Sequence, residues 1–136
     1  MSAVVTIQGD DLDIRITDFI VDDAIYQPNI NRESINLLSE LAQTIRIDGR
    51  FPNHSIDEGE VQIQNARKIV DWVLTEAKDK KAYCKFRLTV KSAEGLLMQD
   101  IIFEKAFVEC YEEWHGDNHG DTMFTLTVRE NIEHER

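Results

Sequence analysis

Three stretches of this chain alternate apolar and polar residues strictly enough to be read as β-strands. The clearest is 83–91, where Cys84, Phe86, Leu88 and Val90 take one parity and Lys85, Arg87, Thr89 and Lys91 the other. Side chains on a strand point alternately to the two faces of a sheet, so this pattern predicts one face in a core and one in water. Residues 122–130 alternate likewise, with Phe124, Leu126 and Val128 inward and Thr125, Thr127 and Arg129 outward. Leu12, Ile14 and Ile16 against Asp13, Arg15 and Thr17 predict a third strand, paired with 4–7 across the turn Gly9-Asp10-Asp11. Phe19, Ile20 and Val21 then break the alternation, which predicts a bulge or a strand end buried on both sides. Asp22-Asp23 and Pro28 predict an irregular connection after it.

The segment returning from the turn Ser92-Ala93-Glu94-Gly95 is less regular. Leu97, Ile101, Phe103 and Phe107 share one parity, while Ile102, Ala106 and Val108 share the other. A strand apolar on both faces must be covered on both, here by the core on one side and by a helix or another subunit on the other. A polar loop over 115–121 follows, and 132–136 reads as a short polar tail.

Helical periodicity is strongest at Ala66, Ile69, Val70, Val73 and Ala77, spaced i, i+3, i+4, i+7 and i+11. Trp72 and Leu74 widen this stripe, and Lys78, Lys80 and Lys81 suit the negative end of a helix dipole. Such a helix lies flat across one side of a sheet or barrel. Val61–63 is either a brief strand or the lead-in to it, and 50–59 reads as a loop. A second, shorter helix is predicted over 31–47, with Asn31 as N-cap, Ile35, Leu38, Leu41, Ala42 and Ile45 as its apolar face, and Gly49 as its stop. Thr44-Ile45-Arg46-Ile47 is equally consistent with a short strand.

Composition places limits on this picture. At 136 residues the chain is read as one domain, 1–136, large enough for a real core. No apolar run approaches a membrane span, and the first residues lack the basic and then apolar segments of a signal peptide, so a cytoplasmic protein without membrane insertion is expected. The formal net charge of −11 disfavours phosphate backbones and anionic lipid as partners. Cys84 and Cys110 fall on neighbouring predicted strands; a bridge between them is geometrically conceivable, but buried thiols are the reading expected in a reducing compartment.

The one dense cluster of reactive side chains is 112–121. Its His115, His119, Asp117 and Asp121 are candidate ligands for zinc or another divalent ion, as in a small β-rich metal-binding module or hydrolase. Histidines four apart share a face only on a helix, whereas Gly116 and Gly120 argue for a loop, so a solvated connection accounts for the same residues. No nucleophile elbow is present, and neither cysteine is flanked by groups that stabilise a thiolate. The residue chemistry therefore leads to the expectation of a non-enzymatic protein without a cofactor.

The segment Ile102-Phe103-Glu104-Lys105-Ala106-Phe107-Val108-Glu109-Cys110-Tyr111-Glu112-Glu113 resembles a motif of tube proteins: apolar-Phe-x-x-Ala-apolar-Val-x-x-Tyr-x-Glu. That family comprises the haemolysin-coregulated protein (Hcp) of type VI secretion and the tail-tube proteins of contractile phages and related injection systems. The likeness covers about the C-terminal half, 66–130. It implies a mainly β (α+β) fold, a small antiparallel β-barrel with a flanking α-helix, assembling into homohexameric rings that stack into a hollow tube. Implied partners are other copies, a sheath, a baseplate or spike, and cargo, with assembly in the cytoplasm and ejection as part of a tube. Ile101, Phe103, Phe107, Tyr111, Glu112 and Trp114 are then the candidates for contacts within or between rings. The polar residues Lys85, Arg87, Thr89, Thr125, Thr127 and Arg129 would line a lumen or face solvent. A hub or tube-initiator protein of the same machine shares the barrel. The helical pattern over 34–47 departs from the family, which carries an extended loop or hairpin there.

Overall fold

The computed structural model describes residues 2–10, 12–17, 20–28, 43–51, 57–75, 82–115 and 122–131, with the backbone alone for 57–62, 65 and 66. Seven strands form a single antiparallel sheet: β1 (Ser2–Gln8), β2 (Asp13–Ile16), β3 (Val21–Gln27), β4 (Thr44–Phe51), β5 (Cys84–Lys91), β6 (Leu97–His115) and β7 (Thr122–Glu130). Their order across the sheet is β2-β1-β5-β6-β7-β4-β3. Among the described residues one helix, α1 (Asp57–Val73), stands between β4 and β5 in the chain.

The alternation read from the sequence becomes one dry face. Val5 and Ile7, Ile14 and Ile16, Ile45 and Ile47, Phe86 and Leu88, and Phe124, Leu126 and Val128 all have no exposed surface and belong to one core cluster. Because inward residues from every part of the sheet meet in one cluster, the sheet must curl over its own inner face. Edge strand β3 comes back towards β1. No ladder joins the two edges among the described residues, so the sheet is open and the barrel expected from the resemblance is not closed. A cleft of about 160 Å³ between Ala3, Val90 and the Val21–Asp23 end of β3 marks the gap. Asp22 and Asp23 sit there, where the register of β3 on β4 also shifts. Charge and a bulge on an edge are the ordinary devices that prevent strand pairing.

Several sequence expectations change. Residues 21–27 form a full strand rather than an irregular connection, because β4 supplies its partner through pairs such as Ala24↔Ile47 and Tyr26↔Ile45. Thr44–Phe51 is a strand paired on both sides, so the second helix does not extend over 44–47; residues 31–42 lie outside the described residues. Helix α1 begins at Asp57, inside the expected loop, and no strand forms at 61–63. It contributes Ile69 and Trp72 to the core, and the Trp72 Nε1–H donates to the Ala82 carbonyl at 2.9 Å, pinning the helix end to the entry of β5. Leu74, which was expected on the apolar stripe, is 75% exposed just past the helix end. Lys78, Lys80 and Lys81 lie outside the described residues.

Candidate functional site

Strand β6 is 19 residues long, and neither neighbour runs its full length. β5 pairs with it from Leu97 to Ala106, and β7 pairs with it from Ala106 to His115. Ala106 is the handover residue, opposite Cys84 on one side and Glu130 on the other, and it is fully buried. Each half of β6 therefore has a ladder on one side only among the described residues. The Lys105 carbonyl, on the β7 side of the first half, accepts from the Asn131 amide at 2.8 Å.

The irregular apolar pattern of this strand has a local cause. Phe86 pairs with Phe103 and Cys84 with Ala106, so Glu104 and Lys105 together oppose Lys85. Val108 pairs with Val128 and Tyr111 with Leu126, so Glu109 and Cys110 together oppose Thr127. A bulge places two residues against one and shifts the parity of everything beyond it. Apolar residues at i and i+3 then fall on the same face. Phe103, Ala106, Val108 and Tyr111 make a single inward row, the first two buried and the others half-buried against the core. The expectation of a strand covered on both faces is thus corrected: most of its mixed parity comes from bulges.

What remains outward is a smaller apolar set at the start of β6. Leu96, Leu97 and Met98 are 62%, 60% and 61% exposed, and a register shift beside Leu97 leaves Met98 unopposed. Ile102 lies further along the outer face. Of the residues expected in assembly contacts, Phe103 is 1% exposed and offers no surface. Ile101 and Tyr111 are half-buried against the core, and half-buried Phe107 sets its ring edge against Tyr83 at 6.2 Å between centroids. Glu112 and Trp114 are exposed at the far end of the strand. Leu96 and Met98 were missed as a surface, whereas Leu97 and Ile102 were expected on a strand whose second face is covered by a helix or another subunit. The missed signal was the consecutive Leu-Leu-Met, which no alternating strand can bury.

Under the far end of β6, an aromatic stack joins the sheet to α1. Phe51 and Phe124 stack at 4.8 Å, Tyr111 lies 6.2 Å from Phe124, and the Arg67 guanidinium sits 4.4 Å over the Phe51 ring. The Tyr111 hydroxyl donates to the Glu113 carboxylate at 2.7 Å, and Arg67 lies 3.4 Å from the same oxygen. Burial, with the Glu113 carboxylate beside it, raises the Tyr111 phenol far above its ordinary range, so it is a hydrogen-bond donor and not a base.

His115 closes β6, and its Nδ1 lies 3.0 Å from the hydroxyl of Thr122, its cross-strand partner. His119, Asp117 and Asp121 lie outside the described residues, and no group of three potential ligands forms among the described ones. Two concavities of about 490 and 540 Å³ are shallow and lie on the polar outer face of the sheet. No helix among the described residues is long and apolar enough to cross a membrane. A scan against protein-family models gives no match, and a search of curated protein sequences gives none either.

Proposed function

We propose that this chain is a structural subunit of the inner tube of a contractile injection system or phage-like tail, with about six copies closing a ring and rings stacking into a conduit. The observation that carries the proposal is the geometry of β6 around Ala106. The two x-x gaps of the tube-like motif coincide with the two bulges, so Phe103, Ala106, Val108 and Tyr111 form one inward row while the strand is handed from β5 to β7. Among the described residues that offset leaves each half of β6 with no ladder on one side, Lys105 apart, next to Leu97, Met98 and Ile102 on its first half. Unpaired strand edges flanked by apolar side chains are stable in water when another chain covers them. A strand from a neighbouring copy does so in a ring. The paired strands β3 and β4 also bracket the segment where tube proteins carry an extended loop or hairpin.

Negative-stain microscopy and native mass spectrometry test this on the purified protein. Rings of about six copies are expected. A strictly monomeric protein at high concentration would overturn the proposal.

A further inference from the structure

On the outer face of the sheet, β1 and β5 form a strip two strands wide over a shallow concavity of about 490 Å³. Lys85, Arg87 and Lys91 project into it from β5, with Thr89 between them and Thr6 and Gln8 beside them on β1. Lys85 and Lys91 are six residues apart on one strand, so their ammonium groups bracket roughly 20 Å. Both lysines are exposed, and among the described residues neither has an ion-pair partner. Arg87 differs. It is held by Asp100 through two 2.8 Å hydrogen bonds, and Asp100 also accepts from Thr89 at 3.3 Å. On a chain of net charge −11, this strip is a cationic island at both ends with a neutralised centre.

We propose that this face docks an extended acidic peptide segment of a partner protein. Two free ammonium groups at strand spacing match carboxylates about six residues apart on an extended peptide. The hydroxyl and amide groups between them supply donors along its length. A nucleic acid fits less well: its backbone carries a charge about every 1.7 Å along the duplex axis, and the strongly acidic remainder of this chain repels it. Docking here does not depend on ring formation, since the strip lies within one subunit.

The test is fluorescence anisotropy with a labelled, extended Glu/Thr peptide of about eight residues, long enough to span the strip. Binding that weakens with salt is expected. The double charge reversal Lys85→Glu/Lys91→Glu is expected to weaken it at least about tenfold, and Lys85→Gln/Lys91→Gln less so. These side chains are exposed, so thermal melts should match the wild type. Asp100→Asn releases Arg87 and is expected to tighten binding, an effect that a general loss of structure would not produce. An unbound peptide, or affinity insensitive to the lysine reversals, overturns the proposal. So does tighter binding of a thymidine oligonucleotide, or self-association that the reversals abolish, since each assigns the face to a different occupant.

Discussion

Cys84 shows how far one residue's chemistry depends on its place in the sheet. It is 3% exposed under the β1–β2 turn, and burial pushes its thiol from 9.0 up to about 11, with the Asp10 carboxylate acting in the same direction. Cys110 lies in the second bulge of β6 and is exposed, so the expectation of two buried thiols holds for one of them, and neither forms a disulfide. A maleimide should therefore modify Cys110 in the native protein and reach Cys84 only after unfolding. The pH dependence follows with its sign. Between about 9 and about 11 the unfolded chain has lost the Cys84 proton while the folded chain retains it, so folding takes up a proton and stability falls as pH rises. Below that window the contribution is fully present. Urea midpoints measured from about pH 8 to about pH 10.5 should fall more steeply for the wild type than for Cys84→Ala, and equal slopes would contradict the assignment. Gly49 is governed by space. A Cβ there would lie 2.6 Å from the Ile20 carbonyl oxygen and 2.6 Å from the Phe124 ring. Phe124 is its cross-strand partner and is stacked on Phe51, so it cannot easily yield. Gly49→Ala should cost about 2 kcal/mol in urea unfolding, and a neutral result would mean that the strand shifts freely. Gly95, by contrast, has open space and is required for its φ of +85° in the β5–β6 turn.

At the level of the element, β5 and β6 respond to length changes in opposite ways. In β5 every position counts, since Phe86, Leu88 and Val90 face inward at strict intervals of two. Removing Arg87 would turn Leu88 and Val90 to the solvent side and leave the core without them. In β6 the extra residue at the second bulge is surplus to the ladder. Deleting Glu109 leaves Cys110 alone opposite Thr127, and Tyr111 still meets Leu126. The Glu109 deletion should fold with a loss within about 2 kcal/mol, reflecting lost local twist, while the Arg87 deletion should not fold. Circular dichroism and thermal melts of the two deletions decide this. Equal damage from both would show that the bulge is as constrained as the regular strand.

At the level of the whole molecule, the offset of β5 and β7 along β6 leaves each half of β6 with one ladder among the described residues, and the proposed assembly rests on that offset. The open edges of the sheet are unlike one another. β3 carries Asp22 and Asp23 at its irregular end, whereas the first half of β6 carries Leu97, Met98 and Ile102. A ring subunit needs one surface protected and another available, and under the proposed function the apolar one would be the available one. If the chain forms rings as proposed, Leu97→Glu with Ile102→Glu should yield a monomer by native mass spectrometry with the circular dichroism of the wild type and a lower, no longer concentration-dependent melting temperature. Rings that survive this pair of substitutions would move the interface elsewhere. The charge pattern is similarly uneven, with Lys85 and Lys91 unpaired among the described residues on one part of the outer face while Arg46–Asp48 and Arg129–Glu109 pair on another.

Strands β1, β2, β5 and β7 and the part of α1's apolar stripe that carries Ile69, Trp72 and Val73 were legible in the residues alone, because a single buried face imposes a period of two on a strand and 3.6 on a helix. The run around Ala106 was visible as a pattern, but its inward residues were not: the alternation put Phe103 on one face and Ala106 and Val108 on the other. Three things required the tertiary structure. β3 is a strand because β4 lies beside it, and nothing in Val-Asp-Asp-Ala-Ile-Tyr-Gln announces that partner. The mixed parity of β6 resolves into one row only through the pairing of Glu104-Lys105 and Glu109-Cys110 against single residues, and register is a property of two strands rather than one. The openness of the sheet depends on whether its first and last edges meet, which no local pattern encodes. Residue pattern determines which face is dry; only the packed chain decides which edges are left for another molecule.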